Sequence, residues 1–203
     1  MQRTAALVIV LVAMAALVVA ACTPRRAAAP KAESTISSLA VLPVTVPPPD
    51  PQKDPDPTLA TGRRVMAEAL EELLTARGLR VLQIHPNTVE TLTDPASGPA
   101  IARQIGQRFG ADAVLAVELT RYRDRQGSTY AAVSPAAVSF SYRLLAADGS
   151  PLCNGTVEAE QQSSLANIFK FSFKRGFRWL SGPEFVRETL AKKFDSCPQL
   201  AGH

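Results

Sequence analysis

Between residues 38 and 160 the chain switches repeatedly between two hydrophobic periods, and the order of the switches leaves few architectures open. "SLAVLPVTV", residues 38–46, is a short Val/Leu-rich run of the kind that forms a buried strand. From Thr58 the period changes, and Val65, Met66, Ala69, Leu70, Leu73 and Leu74 recur at helical spacing until Gly78 ends the helix. "LRVLQI", residues 79–84, predicts a second strand. Residues 87–98 read as a loop, with Pro86, Pro95 and Pro99 as breakers. Ile101, Ile105 and Phe109 share one face of a second helix, and "ADAVLAVEL", residues 111–119, predicts a third strand.

After that the pattern is that of a meander. "YRDRQGS", residues 122–128, reads as a hairpin-type turn carrying Gly127. In "AAVSFSYRLL", Val138, Phe140, Tyr142 and Leu144 alternate with Ser139, Ser141 and Arg143, the period of a half-buried strand. "ADGS" supplies the next turn and "PLCNGTVEAEQ" the returning strand. Strand, helix, strand, helix, then three strands predicts an α/β (α+β) fold: a mixed sheet with helices packed on it. The Pro/Asp-rich stretch of residues 47–57 interrupts this plan as a stiff, extended connector.

The C-terminal part reads as a helical tail. In "IFKFSFKRGFRWL", residues 168–180, a helical template puts Leu165, Ile168, Phe169, Phe173, Phe177 and Leu180 on one face, with Lys170, Lys174 and Arg178 opposite. A strand template, with Phe169, Phe171 and Phe173 alternating against Lys170, Ser172 and Lys174, explains fewer positions. Two uses of the helix stay open. Its apolar face packs on the sheet, or Lys170, Lys174 and Arg178 touch a membrane surface. "SGPE", residues 181–184, has the spacing of a capping box, and Phe185, Val186, Leu190 and Phe194 form the stripe of the helix that follows.

The N-terminus bears on location. Residues 5–21 are an unbroken apolar run behind a single Arg3, shorter than the roughly 20 residues of a membrane-spanning helix. That is the make-up of a secretory signal. The run stops at "VAAC", which resembles the lipobox of bacterial lipoproteins: an aliphatic residue, two small ones, then cysteine. The resemblance implies cleavage before Cys22 and acylation of its thiol and new amine, which would anchor the chain to a membrane. Thr23 in place of Asp points, by analogy with the sorting of such lipoproteins, to the outer membrane, facing the periplasm. Of three cysteines, Cys153 and Cys197 then remain. In an oxidising compartment an even pair reads as a disulfide, which in the chain-entropy model contributes about 4 kcal/mol.

These features divide the chain into a lipoprotein signal peptide (1–21), a lipidated tether (22–37), an α/β periplasmic domain (38–162) and a helical C-terminal segment packed on it (163–203). The 46% hydrophobic composition suits a globular domain. The net charge of +4 is too small to argue for nucleic acid, and the compartment contradicts it. The two histidines, His85 and His203, form no cluster with Cys at zinc spacing, and no phosphate loop or nucleophile elbow occurs. The expectation is a non-enzyme with no catalytic residue, metal, cofactor or small-molecule substrate.

"LAVLPV" (39–44), "GLRVL" (78–82) and "IGQRFGADAVLAVEL" (105–119) together resemble a plan shared by small lipoproteins of the curli-export and penicillin-binding-protein-activator type and by the N-terminal domain of TolB. The resemblance spans most of residues 39–161. It implies a non-catalytic envelope protein that binds other proteins: an accessory or scaffold subunit of a cell-envelope complex, with an unidentified envelope protein as partner. The alternative is an oligomeric ring component of a secretion or export apparatus. The long amphipathic hairpins that a pore would need are not evident.

Overall fold

The computed structural model describes residues 36–48, 51, 56–92, 98–161 and 178–201. Its centre is a five-stranded sheet of order β2-β1-β3-β6-β7, built from β1 (Ser38–Val41), β2 (Arg80–Gln83), β3 (Ala113–Arg123), β6 (Ala137–Ala146) and β7 (Pro151–Glu160). The pairs β1–β2 and β1–β3 are parallel, and β3–β6 and β6–β7 antiparallel. Parallel neighbours need long crossovers. Helix α1 (Pro57–Ala76) supplies the first, and α2 (Pro86–Glu90) and α3 (Gly98–Phe109) the second. Helix α4 (Gly182–Phe194) follows the sheet. The mixed sheet with packed helices is the fold class that the two periods predict.

The two faces of the sheet are unlike. On one, Leu39, Val41, Leu115, Val117, Leu119, Phe140 and Leu144 pack with Met66, Leu70 and Leu74 of α1 and with Val186, Leu190 and Phe194 of α4. Phe194 meets Tyr142 edge-on at 5.2 Å. Gly62 of α1 is buried against Tyr122, where an added Cβ would lie 2.4 Å from the Tyr122 Cβ, so only glycine permits this helix–strand approach. On the opposite face a smaller cluster, including Ala40, Ala102, Ile105, Val114 and Leu145, sits under α3 and covers only one end of the sheet.

Both long helices are capped by the residues their sequences supply. Asp56 accepts from Thr58 N at 2.9 Å, and Pro57 takes the first turn of α1. Ser181 and Glu184 form the capping box of α4. That bond from the Ser181 backbone is the main cause holding the Glu184 carboxyl below its ordinary pKa. Arg77, just past α1, fixes the far end of α4: it donates to Ala191 O at 3.0 Å, to Asp195 at 2.6 Å and to the carbonyl of Leu200.

The parallel core is tied by Asp112, immediately before β3. Its Oδ2 accepts from Ser37 N (3.0 Å), Ser37 Oγ (2.8 Å), Ser38 N (2.8 Å) and Ser38 Oγ (2.9 Å). Asp112 N returns a bond to Ser38 O at 3.0 Å, and Ala147 N donates to Asp112 O at 2.9 Å. Gly110, at φ +63°, provides the left-handed turn that leads from α3 into this clamp.

Several local expectations are corrected. The run 38–46 is not one strand. Pro43 has no N–H, so β1 ends at Val41 and the chain rejoins β3 at Thr45, through Thr45 N to Val117 O at 3.0 Å. Residues 87–98 are not all loop, because Pro86 opens the short helix α2 behind an extended His85. Pro99 breaks nothing, since it sits in the first turn of α3. Phe109 does not share the buried face of α3. It is 39% exposed, and the buried positions are Ala102 and Ile105. The turn expected at 122–128 is partly strand. β3 runs on to Arg123 because Tyr122 is buried, and Gly127 lies in a small ribbon of β4 (Gln126–Gly127) with β5 (Ala132–Ser134).

The four bonds onto Asp112, the Ser37 hydroxyl foremost, hold its pKa at about 2. Because the folded value lies below the unfolded one, the carboxylate contributes stability above about pH 4, and that contribution is lost as the pH falls towards 2. For this exposed group it is about 1 kcal/mol once solvent screening is allowed for. Asp112→Asn is therefore expected to lower stability by about 1 kcal/mol at pH 7 and to match the parent near pH 2, in urea unfolding followed across that range. An equal loss at both pH values would refute the clamp.

Candidate functional site

The part of the sheet that α3 leaves uncovered is polar, and the alternation of β3, β6 and β7 makes it so. Side chains at every second residue share a face. The register stacks them in rows: Ala116, Arg143 and Asn154; then Glu118, Ser141 and Thr156; then Arg121, Ser139 and Glu158; then Arg123, Ala137 and Glu160. Thr45 bridges to Glu118 at the inner border. Thr45, Glu118, Ser141, Arg143, Asn154 and Thr156 line an open depression of about 450 Å³ on this face.

The charges on the face are used unevenly. Small Ala137 lets Arg123 reach across β6 to Glu160 at 2.7 Å, and Arg121 joins the same carboxylate at 3.1 Å. The Arg123 hydrogen bond, helped by Arg121, pulls the Glu160 carboxyl below its ordinary pKa. Glu118, Arg143 and Glu158 make no ion pair among the described residues. Arg143 leans towards the start of α3, its Nη1 3.5 Å from where a Cβ on Gly98 would stand.

A second feature is the corner where the chain re-enters the fold. The Gln161 side chain donates to Arg178 O at 3.2 Å and accepts from Leu180 N at 2.8 Å, so one amide brings residues 161 and 178 together. Trp179 N donates to Thr129 O at 2.7 Å, the Arg125 guanidinium donates to Trp179 O, and Gly182 N donates to Asp124. Burial, with Asp124 nearby, pushes the Tyr122 phenol above its ordinary pKa at this corner.

The residues singled out in the sequence are not gathered into one site. Cys153 of β7 and Cys197 beyond α4 are joined by a disulfide with Cα atoms 6.1 Å apart, which fastens the edge strand to the C-terminal segment. Arg178 is engaged in an ion pair with Glu184 at 2.9 Å. Cys22, Lys170, Lys174 and most of the helix expected over 165–180 lie outside the described residues, and its last three residues, Arg178 to Leu180, are corrected to a non-helical stretch that leads into the Ser181 cap. His85 is exposed. Among the described residues no three His, Cys, Asp or Glu side chains could hold a metal, and no helix is long and apolar enough to cross a membrane. Alternation alone places Ser139, Ser141 and Arg143 on the outer side of their strand and leaves that side with no partner. Only the register shows that they adjoin Glu118, Asn154 and Thr156.

Neither a family model nor a curated protein sequence matches the chain. Solved structures do. Lipoprotein GNA1162 from Neisseria meningitidis is similar at 19% identity and TM-score 0.42, over 77% of this chain and 95% of that one. The hypothetical protein CT253 from Chlamydia trachomatis is similar at 13% identity and TM-score 0.45, over 79% and 97%. The LpoB C-terminal domain from Escherichia coli is similar at 15% identity and TM-score 0.36, over 64% and 87%.

The disulfide closes a chain separation of 44 residues. Replacing both Cys153 and Cys197 by Ala is expected to cost about 4 kcal/mol in chemical unfolding and to free the segment after Phe194 for proteolysis. Unchanged stability, or a native mass that does not rise on reduction and alkylation, would contradict the bond.

Proposed function

We propose that the chain is a lipid-anchored lipoprotein of the bacterial outer membrane, facing the periplasm, and that it serves as a non-catalytic accessory or scaffold subunit of a cell-envelope complex. The observation that carries this reading is the apolar run of residues 5–21 stopping at Val19-Ala20-Ala21-Cys22. The Cys153–Cys197 disulfide suits the oxidising compartment that such an anchor implies. The open polar face, with its charges spread over a sheet instead of gathered in an enclosed cleft, suits contact with another protein better than turnover of a small molecule.

On this reading acyl chains on Cys22 hold the chain at the bilayer, since one chain alone anchors only marginally and two or more anchor firmly. The 22–37 tether lets the fold range on the order of 20 Å from the lipid, which raises its effective concentration near membrane-bound partners. Lys170 and Lys174 are a secondary bilayer contact, and Arg178 contributes less because Glu184 already engages it. An export ring gains no separate support.

Cys22→Ser is expected to move most of the protein from the membrane to the soluble fraction. Whatever binding to anionic vesicles the unacylated chain keeps should fall further when Lys170 and Lys174 become Gln. A Cys22→Ser chain still held in the membrane fraction would overturn the anchor, and vesicle binding indifferent to the two lysines would overturn the secondary contact.

A further inference from the structure

Strand β7 is the outer edge of the sheet, and it is a long one. The opposite edge, β2, has only 4 residues, whereas β7 has 10. Native edges are usually blunted by short length, bulges or proline. The irregularity and the proline of β7 both lie at its start, around Pro151, and from Asn154 to Glu160 its register with β6 is unbroken. Gln161 N donates to Ala136 O, so in this ladder the odd residues turn their N–H and C=O groups towards β6. The main-chain groups of Asn154, Thr156, Glu158 and Glu160 therefore point away from the sheet. Among the described residues none of their N–H groups donates to a carbonyl.

The edge matches itself. The geometry points to an antiparallel pairing of β7 with the β7 of a second copy, with Thr156 opposite the partner's Thr156 on a two-fold axis. Both are outward-facing residues, so they exchange N–H and C=O bonds, and the same holds for Asn154 opposite the partner's Glu158. On the polar face this sets the partner's Glu158 at the end of the Arg143–Asn154 row, where both charges gain an opposite charge that neither has among the described residues of one copy. On the helix-covered face Val157 stands opposite the partner's Gly155, and Ala159 opposite the partner's Cys153, so the half-buried apolar margin of the core is covered. A two-fold contact of this kind is closed and self-complementary, and it joins two five-stranded sheets into one continuous sheet. The Cys153–Cys197 bond holds the strand that makes the contact. The pairing is independent of the anchor, which would add only a higher effective concentration at the membrane.

The test uses the full chain in the cells that make it, with the photo-crosslinking residue p-benzoylphenylalanine in place of Thr156. Irradiation is expected to give a product of twice the chain's mass, with the attachment on residues 154–158 of the second copy. The same residue at Glu68, exposed on α1, is expected to give none. Arg143→Glu and Glu158→Arg should each lower the yield about tenfold, and the double exchange should restore it, which also shows that neither variant has simply lost its fold. No product of double mass, attachment elsewhere, or single variants that crosslink as well as the parent would overturn the pairing. Membrane retention is read from the same cells: chains retained but not crosslinked refute the dimer and leave the anchor standing, and crosslinked chains found soluble do the reverse.

Discussion

The register of the central strand is tied by one carboxylate. β1 is a four-residue strand buried between two parallel neighbours, and it has no hairpin to hold its register. Asp112 holds it from the end of β3, by taking both backbone N–H groups and both hydroxyls of Ser37 and Ser38 on one oxygen. A slip of one residue would turn Leu39 and Val41 from the larger core to the smaller one, and Ala40 the other way. The run Gly110-Ala111-Asp112 is therefore a structural device, in which Gly110 makes the turn, Ala111 is buried, and Asp112 clamps.

With β1 fixed, the unequal cover of the two sheet faces follows. The helices α1 and α4 span the apolar face, while α3 covers only one end of the other. What remains is a polar surface running from Thr45 out to the β7 edge, ending beside the corner where Gln161 holds Arg178 and Leu180.

Much of this is legible in the residues. The helical period of Val65 to Leu74 marks the face of α1 that is buried, and the alternation of Val138 to Leu144 marks β6, because both are set by side-chain periodicity within one element. Features that arise between elements are not legible. Gly62 looks like a weak point in a helix until Tyr122 is seen pressed against it. Arg121 and Arg123 border a turn signal in the sequence, and only the register puts Glu160 within their reach. Phe109 continues the helical face by spacing, yet the centre of burial falls on Ala102 and Ile105. The polar sheet face is hidden from the sequence for the same reason, since its rows are assembled from three strands.

The function proposed for this fold places it at the end of a lipid anchor on Cys22. The most direct test is the intact mass of the protein's N-terminal peptide, purified from membranes. The expected peptide begins at Cys22 and carries the added mass of the acyl chains. A peptide that still includes the residues before Cys22, or one that begins there without any lipid mass, would contradict it.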